Sequence, residues 1–485
     1  MKARFGIVAG LAAIRRSWGV MNRSVQPRKR KPCYAGDAMP KPAPRSTPAS
    51  QTRRSLLARL VATLFGAGPL AALAARRKPK VNPPVGQPSW RPDHIVIVIL
   101  ENLSAFDATE AQLKRGDAPV YSGIANWRFL NQLAQDGARF TNAHFTRTPY
   151  GSEWPTRPSQ PNYLYLFSGH HQGVLPAWFE DARSPYTGQA LFNRDGGRLP
   201  VPRQTRIGVG NANLPEDWLP LCSPNLGAAL MQSGRSFASF SESLPYPSWN
   251  CGTDDRVAAC ADSHAATDLY RRKHNPAVNW TDQRAPTSPR GRHGDLANHV
   301  MPVSVNLGFA PTRDPVLKRA FRGFAQDAGG KPLAFDSLPH VSIVVPNEQH
   351  DAHSNTAQVA DDWLREHIGP YAAWARANNS LLIVTFDEDG STDRRQGDPY
   401  LTGAHRIPTL FYGAGVKPGD VAQRVDHLNV LATVLWLNGA LDRFKADFRR
   451  FHGVIEGSGS EAESEWLNLQ PVTEVFSAVR PAPGS

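Results

Sequence analysis

Residues 94–100 read His-Ile-Val-Ile-Val-Ile-Leu, and this stretch decides the fold class. Six consecutive apolar residues, most of them β-branched, are typical of a strand buried on both faces of a parallel sheet. Similar runs lie at residues 341–345 (Val-Ser-Ile-Val-Val) and 381–386 (Leu-Leu-Ile-Val-Thr-Phe), and a shorter one at residues 409–412 (Thr-Leu-Phe-Tyr). We therefore predict a sheet whose central strands are covered by helices on both sides.

Helical periodicity lies between these runs. It extends over residues 357–377, where Gly369-Pro370 is expected to break or kink the helix, and over residues 428–437. Strands that alternate with helices predict an α/β fold, here a three-layer α/β/α sandwich with a mainly parallel central sheet. Residues 180–330 are rich in Pro, Gly, Asn and Trp, and we expect an irregular insertion or cap there.

Polar residues follow the first three apolar runs. Glu101-Asn102 ends the first, Asp351-Ala-His353 follows the second, and Asp387-Glu388 ends the third. Ligands bind at the carboxyl ends of strands in such sheets, so these side chains are expected to meet there. Taken singly, the acidic stretch could be a solvated turn, and Asp351 with His353 could cap a helix.

The stretch Arg-Pro-Ser-Gln-Pro-Asn-Tyr at residues 157–163 places Ser159 ahead of an apolar helical run. A serine at a helix start faces unpaired N–H groups and the positive end of the dipole, which suits a nucleophile that attacks a phosphoryl group. It could equally be an N-cap. Late in the chain, Asp426-His427 could be an N-cap pair or part of the same site.

A serine surrounded by carboxylates and histidines suits a hydrolytic metal centre. Hard oxygen ligands favour calcium, magnesium or manganese, and imidazole extends the choice to zinc or iron. We expect a divalent metal that lowers the pKa of the serine and neutralises charge on a phosphoryl oxygen.

Six stretches, in this order, resemble the bacterial phosphoesterases that group secreted acid phosphatases with phospholipases C, a branch of the alkaline-phosphatase-like superfamily. They are Ile-Leu-Glu-Asn-Leu-Ser (99–104), Pro-Ser-Gln-Pro-Asn-Tyr (158–163), Tyr-Arg-Arg-Lys-His-Asn-Pro (270–276), Val-Pro-Asn-Glu-Gln-His-Asp-Ala-His (345–353), Thr-Phe-Asp-Glu-Asp (385–389) and Val-Asp-His-Leu (425–428). The resemblance covers residues 92–476 and implies an alkaline-phosphatase-like fold.

The resemblance also implies roles for single residues. Ser159 would be the nucleophile, and Lys273 and His274 would contact the substrate phosphate, although His274 could be structural. Apart from the resemblance, Asn162 could donate to a phosphoryl oxygen or serve only the helix start. The implied metal ligands are Glu101, Asn102, Asp387 and Glu388, with Asp351, His353 and His427 completing the metal or phosphate site. His405 is a weaker candidate, Glu242 is expected behind the ligands, and His170 and His171 have no assigned role.

The charge of the chain is concentrated at its start. The net charge is +13, and residues 1–74 alone, with 14 Lys/Arg and one acid, account for it. The remainder is neutral overall, which argues against nucleic acid as a partner. Thr-Arg-Arg-Ser-Leu-Leu (52–57), an apolar run and Ala-Leu-Ala (72–74) resemble a twin-arginine export signal.

From these features we expect a leader at residues 1–74, in which the true start could lie later than Met1, a linker at residues 75–90, and a phosphoesterase domain at residues 91–478. The protein is expected in the periplasm or outside the cell, without a stable membrane span once processed. In an oxidising compartment Cys251 could pair with Cys260, leaving Cys222 odd, or Cys222 could pair with Cys251.

The resemblance implies a metal-dependent acid phosphatase that hydrolyses phosphate monoesters through a phosphoserine. Its substrate would be a small phosphorylated molecule or a phospholipid head group. Two alternatives stay open. A phospholipase C would be favoured by an apolar rim, for which Trp218, Trp249 and Trp280 are candidates. An inactive binding protein of the same fold is the other, and the serine and carboxylates argue against it.

Overall fold

A computed structural model of the chain describes residues 86–103, 105, 127–146, 159–172, 220–249, 269–281, 294–389 and 406–477. The predictions for the leader, for most of the linker, and for His405, Trp218, Cys251 and Cys260 lie outside these residues. The strands in the described ranges are β1 His94–Leu100, β2 Ala138–Phe140, β3 Phe237–Ser241, β4 Asn306–Gly308, β5 Thr312–Asp314, β6 Arg319–Phe321, β7 Val341–Val345, β8 Ser380–Phe386, β9 Thr409–Gly413 and β10 Gly419–Val421.

Eight of these strands form one sheet in the order β10-β2-β9-β8-β1-β7-β3-β4, while β5 and β6 form a separate antiparallel pair. Strand β9 runs antiparallel to β8 and β2, and the other pairings in the sheet are parallel. The α/β fold class with a mainly parallel sheet is confirmed, and the four predicted strands match β1, β7, β8 and β9.

The α-helices in the described ranges are α1 Arg128–Asp136, α2 Ser159–Ser168, α3 Leu226–Gln232, α4 Ala357–Trp363, α5 Gly369–Ala377, α6 His427–Leu437, α7 Leu441–Phe451 and α8 Glu461–Asn468. Helix α1 packs on α4, and α5 packs on β8 and β9, whereas α2, α3, α7 and α8 pack around α6. All residues of β1 from Ile95 to Leu100 are buried, so both faces of the sheet are covered. In the described ranges, none of the helices combines the length and apolar character needed to cross a bilayer.

The predicted helix over residues 357–377 is continuous but changes pitch. A π-helical stretch, Leu364–Ile368, joins α4 to α5. Pro370 lies in the first turn of α5, where its missing N–H would leave the carbonyl four residues earlier without its helical partner. The wider turn ahead of the proline accommodates this, so Gly369-Pro370 distorts the helix without breaking it.

Residues 180–330 were expected to form an insertion, but their described part contributes to the sheet. Strand β3 pairs with β7, and β4 pairs with β3 at the edge. Cys222 is disulfide-bonded, and the other cysteines lie outside the described residues. Cys222 is therefore paired, which contradicts the alternative in which Cys251 pairs with Cys260 and leaves Cys222 unpaired.

Helix α2 is buried on all sides, because its apolar residues follow one another instead of forming a stripe. Near its end, Phe167 packs against Phe237 and Trp280, with ring centroids 5.7 and 5.3 Å apart. Aromatic packing of this kind holds the helix in one orientation. The residues of its first turn therefore project from a fixed support.

Candidate active site

The carboxyl ends of three neighbouring strands, β8, β1 and β7, bring the predicted acidic residues together. The Asp387 N–H donates to the Leu100 carbonyl (2.9 Å), and the Glu101 N–H donates to the Asp351 carbonyl (2.8 Å). The Leu103 N–H donates to the Glu388 carbonyl (3.2 Å). These backbone bonds continue the sheet beyond its strands and fix the three segments side by side.

The carboxylates of Glu101, Asp351 and Asp387 are buried at this edge, and Glu388 and Asp389, which also follow β8, are buried as well. Burial raises the pKa of Glu101 well above its usual range, and the charges of Asp387 and Asp351 raise it further. Burial raises the pKa of Asp351 to about 7. The pKa of Asp387 is raised by burial as well, against the hydrogen bond from the Asn102 N–H (3.0 Å).

Asn102 adopts a left-handed backbone conformation, with φ of +50°. Asparagine is one of the few side chains that tolerate this region. The conformation directs the Asn102 N–H at Asp387 Oδ1 and leaves its amide 3.5 Å from Glu101 Oε2. The amide thus lies beside the carboxylates, as the sequence predicted.

Ser159 is the first residue of α2, and its hydroxyl donates to Glu101 Oε2 (2.8 Å). The predicted nucleophile and the predicted first ligand are therefore in direct contact, although they are 58 positions apart in the chain. Asn162 lies one turn along the same helix and is also buried. The helix start offers N–H donors and a positive dipole end to an anion.

Lys273 and His274 lie in a short 3-10 helix, Arg272–His274, and are both buried. His274 bridges two acids: its Nε2 lies 3.2 Å from Glu101 Oε1 and its Nδ1 lies 3.4 Å from Asp351 Oδ2. Burial lowers the pKa of His274 well below its usual range, and the Lys273 charge adds to this. That charge also partly opposes the raised pKa values of Glu101 and Asp351.

Two predicted histidines have other partners. The His353 ring is partly exposed, bonds to Ser354 (3.0 Å) and pairs with Glu348 (3.3 Å). His427, at the start of α6, donates from Nε2 to the Phe386 carbonyl (2.9 Å), so its Nδ1 accepts from Thr146 (3.3 Å). A ligand role for His427 would require one of these hydrogen bonds to be given up. Burial lowers its pKa to about 4.

Asp426 is confirmed as a helix cap. Its side chain accepts from the Leu428 N–H (2.9 Å), and Asn429 accepts in return from the Asp426 N–H (2.8 Å). This reciprocal pair satisfies two donors at the start of α6.

Two residues hold the loop after β7. Glu242 accepts from the Asn347 N–H (2.9 Å) and contacts His350 Nδ1 (2.9 Å), and its expected place behind the ligands stays a prediction. Glu348 joins this loop to the Lys273 segment, because it pairs with Arg271 as well as His353.

Tyr163 is a site residue that the sequence reasoning missed. Its hydroxyl donates to Glu101 Oε1 (2.7 Å), and its ring stacks on His274 with centroids 5.2 Å apart. The signal was its position four residues after Ser159, on the same helix face. In the sequence it was grouped with the apolar residues that follow.

The second histidine pair belongs to a different cluster. His170, His171 and Glu465 offer possible ligand atoms within 4.8 Å of one another. However, the His170 Nδ1 accepts from the Gln172 N–H (2.8 Å), so in the neutral ring Nε2 carries the proton and faces Glu465 (3.8 Å). A protonated nitrogen has no lone pair for a metal, and we assign no metal to this cluster.

The donors at the strand ends fit a divalent cation. Carboxylates and an amide oxygen are hard ligands, and the Asp387 Oδ2 atom is buried without a hydrogen bond of its own. Burial is the main cause of the raised pKa values of Glu101, Asp351 and Asp387, because it penalises their charged forms. A bound cation would stabilise those charged forms.

One segment of the chain matches a family of known proteins. Residues 315–437 match the family model described as the phosphoesterase family. The segment contains Asp351, Asp387 and His427, and the family resemblance that the motifs indicate is confirmed.

Two curated relatives carry phosphatase names. The phosphatidylinositol-3-phosphatase of Mycobacterium tuberculosis is 29% identical over 384 residues, covering 79% of this chain and 86% of that protein. An acid phosphatase of Aspergillus fumigatus is 24% identical over 205 residues, covering 41% of this chain and 36% of that protein. The family and both names indicate phosphoester hydrolysis.

Solved structures show a distant likeness. An alkaline phosphatase superfamily protein from Vibrio parahaemolyticus has a TM-score of 0.35 and 13% identity, covering 73% of this chain and 68% of that chain. A phosphonate monoester hydrolase from Silicibacter pomeroyi has a TM-score of 0.32 and 14% identity, covering 72% and 73%. We draw no functional conclusion from these scores.

Proposed function

We propose that this protein is a metal-dependent phosphatase of the acid phosphatase type, which hydrolyses phosphate monoesters through a phosphoserine at Ser159. The observation that carries the proposal is the hydrogen bond from the Ser159 hydroxyl to Glu101, within a group of buried carboxylates. A serine that served only as a helix cap would have no need of buried acids around it. Such acids are costly to bury unless a cation compensates them.

In the proposed reaction, Ser159 Oγ attacks phosphorus and the ester oxygen leaves with its electron pair. The N–H groups at the start of α2, with the side chains of Asn162, Lys273 and His274, would face the phosphoryl oxygens as charge develops on them. Water then attacks the phosphoserine in line and releases phosphate. Glu101 Oε2 orients the Ser159 hydroxyl for the first step, in which the serine proton passes to the departing ester oxygen. In the second step the attacking water returns a proton to Ser159 Oγ as the bond between Oγ and phosphorus breaks.

The proposed metal ligands are Glu101, Asn102, Asp387 and Glu388, with Asp351, His353 and His427 as further candidates. The cation, when bound, would lower the pKa of the Ser159 hydroxyl and neutralise charge on the phosphoryl group. The candidate cations are zinc, manganese, iron, calcium and magnesium, because the proposed ligands include both oxygen atoms and imidazole rings.

The test is turnover of p-nitrophenyl phosphate by the parent and by Ser159→Ala, with and without a chelator. A nucleophile's loss should lower kcat by about 10³-fold or more while folding and metal content stay parental. Acid quench of the parent should trap phosphate on the peptide that contains residue 159.

Ser168→Ala is a matched control, because Ser168 is buried in the same helix and donates to the Leu164 carbonyl (2.8 Å), away from the acids. Its turnover should equal that of the parent. Near-parental turnover by Ser159→Ala would remove the serine from the mechanism and return it to a structural role.

A lipid phosphate is a specific substrate candidate. The M. tuberculosis relative carries the name phosphatidylinositol-3-phosphatase, and the substrate in that name is a phosphate monoester on a lipid head group. The match covers 86% of that protein. Release of phosphate from vesicles that contain this lipid, compared with p-nitrophenyl phosphate, would test whether the likeness extends to substrate.

The phospholipase C alternative gains no support from the two candidate tryptophans that the structure describes. Trp280 is fully buried and donates to the Ser223 carbonyl (2.9 Å), and Trp249 is buried against Tyr246. Neither offers an apolar rim to a lipid. Turnover of bis-p-nitrophenyl phosphate above that of the monoester would favour the phospholipase, and metal binding without turnover of either would favour a binding protein.

We also propose export by a twin-arginine signal, with a mature chain that begins near Ala75. The support is the Arg53-Arg54 motif, followed by an apolar run and Ala72-Leu73-Ala74. N-terminal sequencing of the protein from the periplasm or medium would test this. A start well before Arg53 on exported protein would contradict it.

A further inference from the structure

Glu101 receives a separate hydroxyl on each carboxylate oxygen. Ser159 donates to Oε2 (2.8 Å) and Tyr163 donates to Oε1 (2.7 Å). The two donors are four residues apart in α2, about one turn, so they project from the same helix face. The Glu101 carboxylate therefore lies along helix α2, and each of its oxygens accepts from one of the two hydroxyls.

Tyr163 itself is held in place. Its ring is buried and lies nearly parallel to the His274 ring, at an interplanar angle of 9°. His274 Nε2 lies 3.2 Å from the same Oε1 atom that Tyr163 contacts. One oxygen of Glu101 is thus enclosed by two side chains, while the other faces the serine.

The Tyr163 hydroxyl donates to Glu101 Oε1, and its buried ring stacks on His274, so the contact is directional and held in place. The Ser159 hydroxyl on Oε2 is the group that gives up its proton in the proposed reaction, whereas the Tyr163 hydroxyl on Oε1 keeps its own, so Oε2 is the oxygen left for a cation on the serine side.

We infer that Tyr163 is a positioning residue, which fixes Glu101 so that Oε2 alone is presented to a divalent cation next to Ser159. This inference rests on the proposed metal-dependent function. Partners that orient a metal ligand in this way commonly change metal affinity or activity by about 10–100-fold when they are removed.

The test compares Tyr163→Phe with Tyr165→Phe. Phenylalanine at 163 removes the hydroxyl and keeps the ring that stacks on His274, whose Nε2 remains near Oε1, so we expect the variant to fold. Tyr165 is a buried tyrosine of the same helix that contacts His171 instead of Glu101, which makes it a matched control. Calorimetric titration of Mn²⁺ into chelator-stripped protein measures affinity without relying on turnover.

We expect the Mn²⁺ dissociation constant to rise about 10–100-fold in Tyr163→Phe and to stay parental in Tyr165→Phe. With p-nitrophenyl phosphate at saturating Mn²⁺, kcat should fall while KM stays within about twofold, because the substrate is not contacted. In a Glu101→Gln background, removal of the Tyr163 hydroxyl should produce no further change in Mn²⁺ affinity.

A parental dissociation constant and kcat in Tyr163→Phe would overturn the inference while leaving the proposed function intact. An equal loss of Mn²⁺ affinity in both tyrosine variants would assign the effect to packing of α2 and overturn it as well. A parent that turns over substrate but binds no Mn²⁺ and ignores chelators would overturn both the inference and the metal dependence.

Discussion

Replacement of Asp351 by asparagine should flatten the pH dependence of stability in the metal-free protein. Asp351 is buried, and burial raises its pKa from 3.8 to about 7. Its Oδ1 atom accepts from the His353 N–H (2.8 Å), and asparagine keeps an oxygen that can do the same. The substitution therefore removes the charge and little else.

The sign follows from the direction of the pKa change. A carboxyl whose pKa is higher in the folded protein contributes stability that is fully present below its unfolded pKa and is lost as pH rises through the folded pKa. For Asp351 the window runs from 3.8 to about 7. At about 1.4 kcal/mol for each pH unit, the loss is at most about 4 kcal/mol, and less if Glu101 and Asp387 share the proton.

Urea unfolding of chelated protein at about pH 5 and about pH 8 measures this effect. The free energy of unfolding of the parent should fall between the two pH values by more than that of Asp351→Asn, with about 3 kcal/mol as the upper limit of the difference, because only the part of the window above about pH 5 is sampled. Asp336→Asn is the control, because Asp336 is exposed. Parallel pH dependence in the parent and Asp351→Asn would refute a raised pKa for the buried Asp351 carboxyl.

Three further predictions follow from separate contacts. Asp361→Ala should lower the free energy of unfolding by about 1–2 kcal/mol, because the Asp361 carboxylate accepts hydrogen bonds from the N–H groups of Phe129 (2.8 Å) and Leu130 (2.9 Å) at the start of α1. An unchanged urea midpoint would contradict this. Gly413→Ala should lower the free energy of unfolding by about 1–3 kcal/mol or more, because a Cβ there would clash with the Ser380 carbonyl oxygen in the paired strand. A thermal unfolding midpoint equal to that of the parent would contradict this. Asp387→Ala should lose bound metal and activity together, because the buried Oδ2 atom of Asp387 lies among the acids. Elemental analysis and an activity assay measure the two losses, and full metal content in the variant would exclude Asp387 as a ligand.

The sequence by itself determined the strands that form the centre of the sheet. In β1, β7 and β8 almost all buried residues are apolar, with Ser342, Ser380 and Thr385 as exceptions, because a strand covered on both faces must present apolar side chains in both directions. The same strands are followed by acidic residues, which is why the sequence could predict that these residues meet. Their order along the chain and the neighbouring motifs were sufficient to indicate the family.

The sequence did not predict strands whose amino-acid composition gives no sign of their pairing in the sheet. Strand β3 reads Phe-Ala-Ser-Phe-Ser within a stretch rich in turn-forming residues, and only its pairing with β7 makes it part of the sheet. Short strands of this kind are stabilised by their neighbours more than by their own residues. The predicted insertion therefore contributes strands to the fold.

Only the tertiary structure decided which partner each polar side chain takes. Tyr163 and Ser159 could be placed on one helix face from their spacing, but Glu101 lies about 60 residues away, and its two oxygens are distinguished only by the fold. His427 carries the residue type of a ligand, yet its ring hydrogen-bonds to the Phe386 carbonyl. A hydrogen bond depends on a few tenths of an ångström and on direction, and neither is written in residue type or spacing.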